Sequence, residues 1–352
     1  MKLQDLVNKE IFKQKGYLAP ELDGYVKLDA NESPFGFSQP LQKKLLEAFS
    51  KVELNRYPEA GALGLRERFA RYYGVNKDMI MLGNGSDELI QVICMTLNGK
   101  INGVLVPVPT FVMYKIIGIN TGNKVVEVPL DDNYDLDLDA MMSKIKPNSP
   151  AIVYLAYPNS PTGNCFDRDK IEAILKKSSG IVVVDEAYAG FAGQTLLPLL
   201  KKYDNLVILK TLSKVGLAAM RLGFLIGNAD LIAQMDKVRL PYNVNALSQV
   251  AAGFFLDYAK EFAGIVAEIV KRREELYRGL QNIDGIRPFP SRANFIFFSC
   301  AFDSDRIYKR LVEKGIIVKN LNSTLLPDCI RVTVGNSKEN TAFLKALKSV
   351  IS

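Results

Sequence analysis

Three apolar runs of the sequence each end on a residue that can do chemistry. AIVYLAYPNSPTGN passes into a Pro/Asn/Ser/Gly turn able to present Asn159. IVVVDEAY closes on Asp185 and Tyr188, and LVILKTLSKVGLAAMRLG leads into Ser213, Lys214 and then Arg221. Taken singly, each has a plain explanation: a turn asparagine, a loop acid, a chance Ser-Lys pair. Together they supply an amine that can attack a carbonyl, an acid that can pair with a cationic nitrogen, and an amide and a phenol that can donate hydrogen bonds. The chain contains no histidine, which excludes a Ser-His-Asp or Cys-His nucleophile, a His-ligated metal and an imidazole base. Proton transfer at neutral pH then falls to Lys, Asp, Glu, Tyr, Cys or a cofactor.

That set of groups is what pyridoxal 5′-phosphate requires. Lys214 can hold its aldehyde as a Schiff base, since partial desolvation near other cations eases loss of the lysine proton. Asp185 can pair with the pyridinium nitrogen and keep the ring an electron sink, while Asn159 and Tyr188 can donate to the phenolate oxygen. The phosphate needs its own seat. MLGNGSDELIQVICMTL is a glycine-rich turn entering a helix, so the backbone N–H groups of Ser86 and Asp87 can face an anion at the positive end of the dipole. Ser213 and Arg221 can complete that cage, and Phe111 of PTFVMY can stack on the ring. Equally, GNGSDE reads as an ordinary helix start with Ser86 as N-cap. No metal site is expected: the four cysteines (94, 165, 300, 329) lie far apart without a CxxC pair and read as free thiols.

The elements that must position these residues follow from periodicity. Leu41, Leu45, Phe49 and Val52 share one helical face; Leu65, Phe69 and Tyr72 share another, stopped by Gly74. VLVPV, KVVEVPL, AIVYLAY, IVVVDEAY, LVILKT and LGFLIG are apolar almost throughout, as in strands covered on both faces of a largely parallel α/β sheet. Function in such sheets gathers at the strand carboxyl ends. After Asn243 a long helical region, roughly 245 to 281, leads into ANFIFFS, a helix around Ile307–Lys314, GIIV, CIRVTV and a closing helix: a smaller α+β unit. The expected organisation is an N-terminal arm (1–30), a large cofactor-binding domain (31–240) and a small C-terminal domain (241–352).

With 352 residues, 48% hydrophobic and 24% charged, the chain can build a substantial core without disulfides. The net charge of +7 invites a nucleic-acid reading, but the basic pairs are dispersed and mostly sit beside acids. Solvated helix faces and a small anionic substrate account for them better. The N-terminus builds no apolar signal core, and no run is long enough to span a bilayer, so a soluble, cytoplasmic protein is expected.

LDANESPFG (28–36), NRYPE (55–59), GNGSDELI (83–90), YPNSPTG (157–163), VVDEAY (183–188), TLSKVGLAAMRLG (211–223) and IRVTVG (330–335) occur in this order over nearly the whole chain. The sequence thereby resembles the fold-type I pyridoxal-phosphate-dependent aminotransferases, with the aspartate-aminotransferase-like fold, and among them the histidinol-phosphate aminotransferases. The resemblance implies a homodimer in which Tyr57 reaches the other chain's cofactor phosphate, and a substrate anion gripped by Arg331. It also implies substrate contacts from Tyr17, Asn31, Asn159 and Lys319. Three features depart from the usual pattern: Phe111 replaces a tyrosine, Lys319 replaces an arginine, and the 214–221 loop is one residue shorter than in many relatives. An aromatic-amino-acid aminotransferase, or a lyase of the threonine-phosphate decarboxylase type, would share every cofactor residue. A nicotinamide oxidoreductase is disfavoured because GNGSDE lacks the third glycine of GxGxxG.

Overall fold

The computed structural model describes residues 6–7, 9–14, 16, 24–99, 103–147 and 149–351. Strand β1 (Val26–Leu28) is followed by β2 (Ile80–Gly83), β3 (Val104–Val108), β4 (Val125–Pro129), β5 (Ile152–Ala156), β6 (Ile181–Asp185), β7 (Leu206–Thr211) and β8 (Gly223–Ile226). Next come β9 (Ile286–Pro288), β10 (Phe295–Cys300), β11 (Ile316–Asn320) and β12 (Cys329–Thr333).

The seven-stranded sheet has the order β2-β8-β7-β6-β5-β3-β4. Strands β4, β3, β5, β6 and β7 run parallel, and β8 alone is antiparallel to its neighbours β7 and β2. The continuous apolar runs are explained by cover on both faces. Val183 and Val207 pack with Ile90, Tyr114 and Tyr154, whereas Val182, Val184 and Ile208 pack with Phe166 and Ile174. Strand alternation therefore points Asp185, two positions after Val183, to the face carrying helices Ser86–Thr96 and Met113–Asn120. Because β8 is antiparallel, its first residue Gly223 lies opposite Thr211 at the end of β7 and opposite Gly83 at the end of β2. The carboxyl ends of β2, β5, β6 and β7 and the start of β8 thus meet at one rim.

The five-stranded sheet has the order β1-β11-β12-β10-β9, with β1 parallel to β11 and the other pairs antiparallel. Phe295, Phe298, Ile330 and Val332 bury against Ile269, Leu276 and Leu280 of helix Ala259–Gln281 and Phe343 and Leu347 of helix Ser337–Ile351.

Two local expectations change. The helical region after Asn243 is two helices, Ala246–Asp257 and Ala259–Gln281, because Tyr258 between them leaves the helical well at φ −116°, ψ 31°. The expected arm, residues 1–30, contains regular structure. Lys9–Phe12 is helical, Gln14 Nε2 donates to Asn120 Oδ1 at 3.0 Å, and β1 adds an edge strand to the smaller sheet. Among the described residues, no helix is long and apolar enough to cross a membrane, and no acid or cysteine cluster suits a metal.

Candidate active site

Lys214 lies in the 3₁₀ turn Ser213–Val215 just beyond β7. Its Nζ donates to Ala30 O at 3.1 Å and sits 5.8 Å from the centroid of the Tyr188 ring. Asp185, the last residue of β6, lines the same cavity as Lys214 and is 5% exposed. Its Oδ1 accepts the Ala187 N–H at 3.0 Å and its Oδ2 accepts the Tyr114 hydroxyl at 2.7 Å. Burial pushes the Asp185 carboxyl up to about 6; those two hydrogen bonds pull it down, and the nearby Asp87 and Glu186 charges push it up further. Glu186 turns away into its own network. It accepts from Lys210 Nζ at 2.6 Å and from Thr195 Oγ1 and Leu196 N, which pairs this second acid with a cation.

At the rim, Gly85 takes φ +84°, turning the chain from β2 into helix Ser86–Thr96 so that the helix N-terminus faces the cavity. Arg221, in the left-handed region at φ +47°, directs Nη1 to Ser213 Oγ and Nη2 to Asp87 Oδ2, both at 3.3 Å. The packing there is tight: a Cβ on Gly223 would stand 2.6 Å from Ser86 N, and one on Gly85 2.7 Å from Arg221 Nη2. A helix N-terminus, a serine hydroxyl and a guanidinium around one hollow form an anion seat. Asp87 can offer its backbone N–H there, while its carboxylate orients Arg221. Phe111 borders the cavity and meets Tyr114 edge-on, centroids 5.4 Å apart.

A second cavity of about 660 Å³ adjoins the first, sharing Asp87, Phe111 and Ser160 with it. Lys319 and Arg331 both line it and are direct partners across β11 and β12. Arg331 lies 5.2 Å from the Phe295 ring centroid and donates to Ser160 Oγ at 3.0 Å and Asp29 O at 2.7 Å.

Lys214, Asp185, Tyr188, Phe111, Ser86, Asp87, Ser213 and Arg221 therefore line one cavity, with Lys319 and Arg331 in the next. Two asparagines behave otherwise. Asn159 is fully buried, donating from Nδ2 to Pro109 O at 3.0 Å and Thr162 Oγ1 at 2.8 Å while Thr110 donates to its Oδ1. Pro109 O can only accept, so the amide cannot be turned around, and both its hydrogens are committed to protein rather than free for a ligand. Asn31 is 1% exposed; its Nδ2 donates to Tyr188 Oη at 2.9 Å and its Oδ1 accepts from Thr333. It sits behind Tyr188 rather than in the cavity, and by donating to that oxygen it leaves the phenol's own hydrogen available. Tyr57 is 82% exposed and stacks on Tyr242 at 4.6 Å, away from its own chain's cavity. Tyr17 lies outside the described residues. Sequence reasoning missed Tyr114, whose hydroxyl partner lies 71 residues further on, and Ser160, the neighbour of Asn159 in the same turn.

These residues fit pyridoxal phosphate: a primary amine, a buried carboxylate with one lone pair of each oxygen still untaken, and an anion seat share one hollow. The family model described as aminotransferase class I and II matches residues 23–347. Histidinol-phosphate aminotransferase 2 of Nitrosococcus oceani is 44% identical over 97% of this chain and 96% of its own length. Histidinol-phosphate aminotransferase of Aquifex aeolicus is 38% identical over 98% of each. The crystal structure of histidinol-phosphate aminotransferase from Clostridium acetobutylicum superposes with a TM-score of 0.84 at 27% identity, covering 92% of this chain and 98% of that one. The fold alone is shared with aspartate aminotransferase of Thermotoga maritima, TM-score 0.82 at 21% identity over 93% and 92% of the two chains.

Proposed function

The chain belongs to the class I and II aminotransferases, and from that premise we propose that it interconverts L-histidinol phosphate and 2-oxoglutarate with imidazole-acetol phosphate and L-glutamate. The reaction uses pyridoxal 5′-phosphate and serves histidine synthesis in the cytoplasm. The observation that carries the proposal is the joining of Lys214, Asp185 and an anion seat in one cavity that opens onto a second, cationic one.

Pyridoxal phosphate, when bound, supplies an aldehyde that captures amines and a ring that takes up the electron pair left by the departing α-proton. Lys214 would anchor it, and its Nζ, when free, would take the proton from the substrate α-carbon. No histidine exists to do so. Asp185 holds the proton of the ring nitrogen, Tyr188 donates to the ring oxygen with Asn31 fixing its direction, and Phe111 flanks the ring. Ser86, Asp87, Ser213 and Arg221 seat the phosphate. Arg331 and Lys319 receive the phosphate of one substrate and the carboxylate of the other, which explains how one pocket serves two anions. The division into an arm, a cofactor-binding domain and a small domain suits this arrangement, with the cationic strands β11 and β12 supplied by the last.

A homodimer completes the reading. Leu54, Tyr57, Leu240 and Tyr242 are exposed near one another in sequence pairs, and Tyr57 would reach the partner's anion seat. A protein that sediments as a monomer at working concentration would refute this part. The reaction itself is tested by a panel on purified protein. L-Histidinol phosphate with 2-oxoglutarate should yield L-glutamate faster than L-phenylalanine does, and L-threonine phosphate should release no carbon dioxide. A preference for phenylalanine, or decarboxylation without an oxo acid, would replace the proposal with one of the two related activities.

A further inference from the structure

Resting on the aminotransferase reading, we propose that Tyr114 is a positioning residue for the reaction, its hydroxyl keeping the Asp185 carboxylate ionised and aimed at the cavity. Tyr114 is fully buried on helix Met113–Asn120 and gives Asp185 Oδ2 a 2.7 Å hydrogen bond. Its ring cannot swing aside: it stacks on Tyr154 at 4.7 Å and 3°, and Phe111 closes its edge. Burial, then the neighbouring Asp185 charge, raises the Tyr114 phenol well above its ordinary range, so it remains a donor throughout the working pH range. A permanent donor favours the ionised form of its acceptor.

The other charged or titratable groups facing Asp185 do not take over this task. Asp87 and Glu186 are acids that disfavour ionisation, and among the described residues no hydrogen bond joins the Tyr188 hydroxyl to Asp185. Tyr154 shares its hydroxyl with Cys94 Sγ at 3.4 Å, and the Lys214 amine bonds Ala30 O. Besides Tyr114, only the Ala187 N–H bonds the carboxylate among the described residues. A structural role for Tyr114 would need its ring alone; the proposed role needs its hydroxyl.

The test compares wild type, Tyr114→Phe and protein carrying 3-fluorotyrosine at position 114, a stronger donor of the same shape. Protonation of Asp185 in the cofactor-free proteins is followed by the infrared carboxyl band, with Asp185→Asn as reference. Tyr114→Phe is expected to move the midpoint up by about one to two pH units, and 3-fluorotyrosine to move it down. Loaded with pyridoxal phosphate, Tyr114→Phe should lose roughly ten- to hundredfold in kcat at neutral pH with KM little changed. Loaded instead with the N-methylated cofactor, whose ring charge needs no proton, it should recover most of that loss relative to wild type. Midpoints that stay put in both variants, or equal losses with both cofactors, overturn the proposal. Failure of wild type to form L-glutamate would instead sink the aminotransferase reading, and the infrared titration would still decide the role of Tyr114.

Discussion

Burial raises the Asp185 carboxyl to about 6 in the cofactor-free protein, and that displacement has a consequence for stability. An acid whose folded pKa exceeds its unfolded value is held more tightly as the neutral acid by the fold. Relative to the unfolded chain it therefore costs nothing below about pH 4, costs progressively more as pH rises toward 6, and carries its full penalty above. About two units correspond to on the order of 3 kcal/mol. Asp185→Asn should accordingly melt higher than wild type near pH 8 without cofactor, with the advantage gone near pH 4. Equal differences at both pH values would contradict this. Lys214 and Asp185 were legible in the sequence because each ends an apolar strand run where a polar group needs a reason. The present partners of Asn31 and Asn159 were not legible, because a turn asparagine looks the same whether its amide meets a ligand or the protein. Tyr114 escaped notice because its hydroxyl is spoken for by a residue far away in the chain, which no local pattern records.

The anion seat is made by two elements meeting closely, the start of β8 and the N-terminus of helix Ser86–Thr96. Gly223 permits it: a Cβ there would lie 2.6 Å from Ser86 N and 2.7 Å from Gly85 C, backbone atoms that cannot rotate away. Gly223→Ala is expected to cost about 1–3 kcal/mol of stability by overpacking and to push the helix start away from Ser213 and Arg221. The retained cofactor should then dissociate more readily on dialysis than from wild type. Unchanged retention would show that the seat does not depend on this contact. Near-continuous apolar runs and their length made the strands of the larger sheet readable. The three-residue β1 was not, since its pairing with β11 is decided by tertiary contact rather than by VKL itself. Nor was the break at Tyr258 visible in an apolar helical pattern that continues across it.

For the molecule as a whole, the net charge of +7 is represented at the two cavities by Lys319 opposite Arg331 and by Arg221 at the rim. The order of motifs along the chain revealed the fold, and four of them (83–90, 157–163, 183–188 and 211–223) mark strand ends at the same rim of the larger sheet. The second subunit expected over Tyr57 is implied by the resemblance alone, since within its own chain that exposed ring stacks on Tyr242. The central claim is that one primary amine tethers the cofactor and moves the α-proton. Borohydride reduction of the loaded protein followed by peptide mass mapping tests it most directly. The label is predicted on Lys214 alone, and Lys214→Ala should carry none and form no L-glutamate; label on another lysine, or full turnover by that variant, would contradict the account.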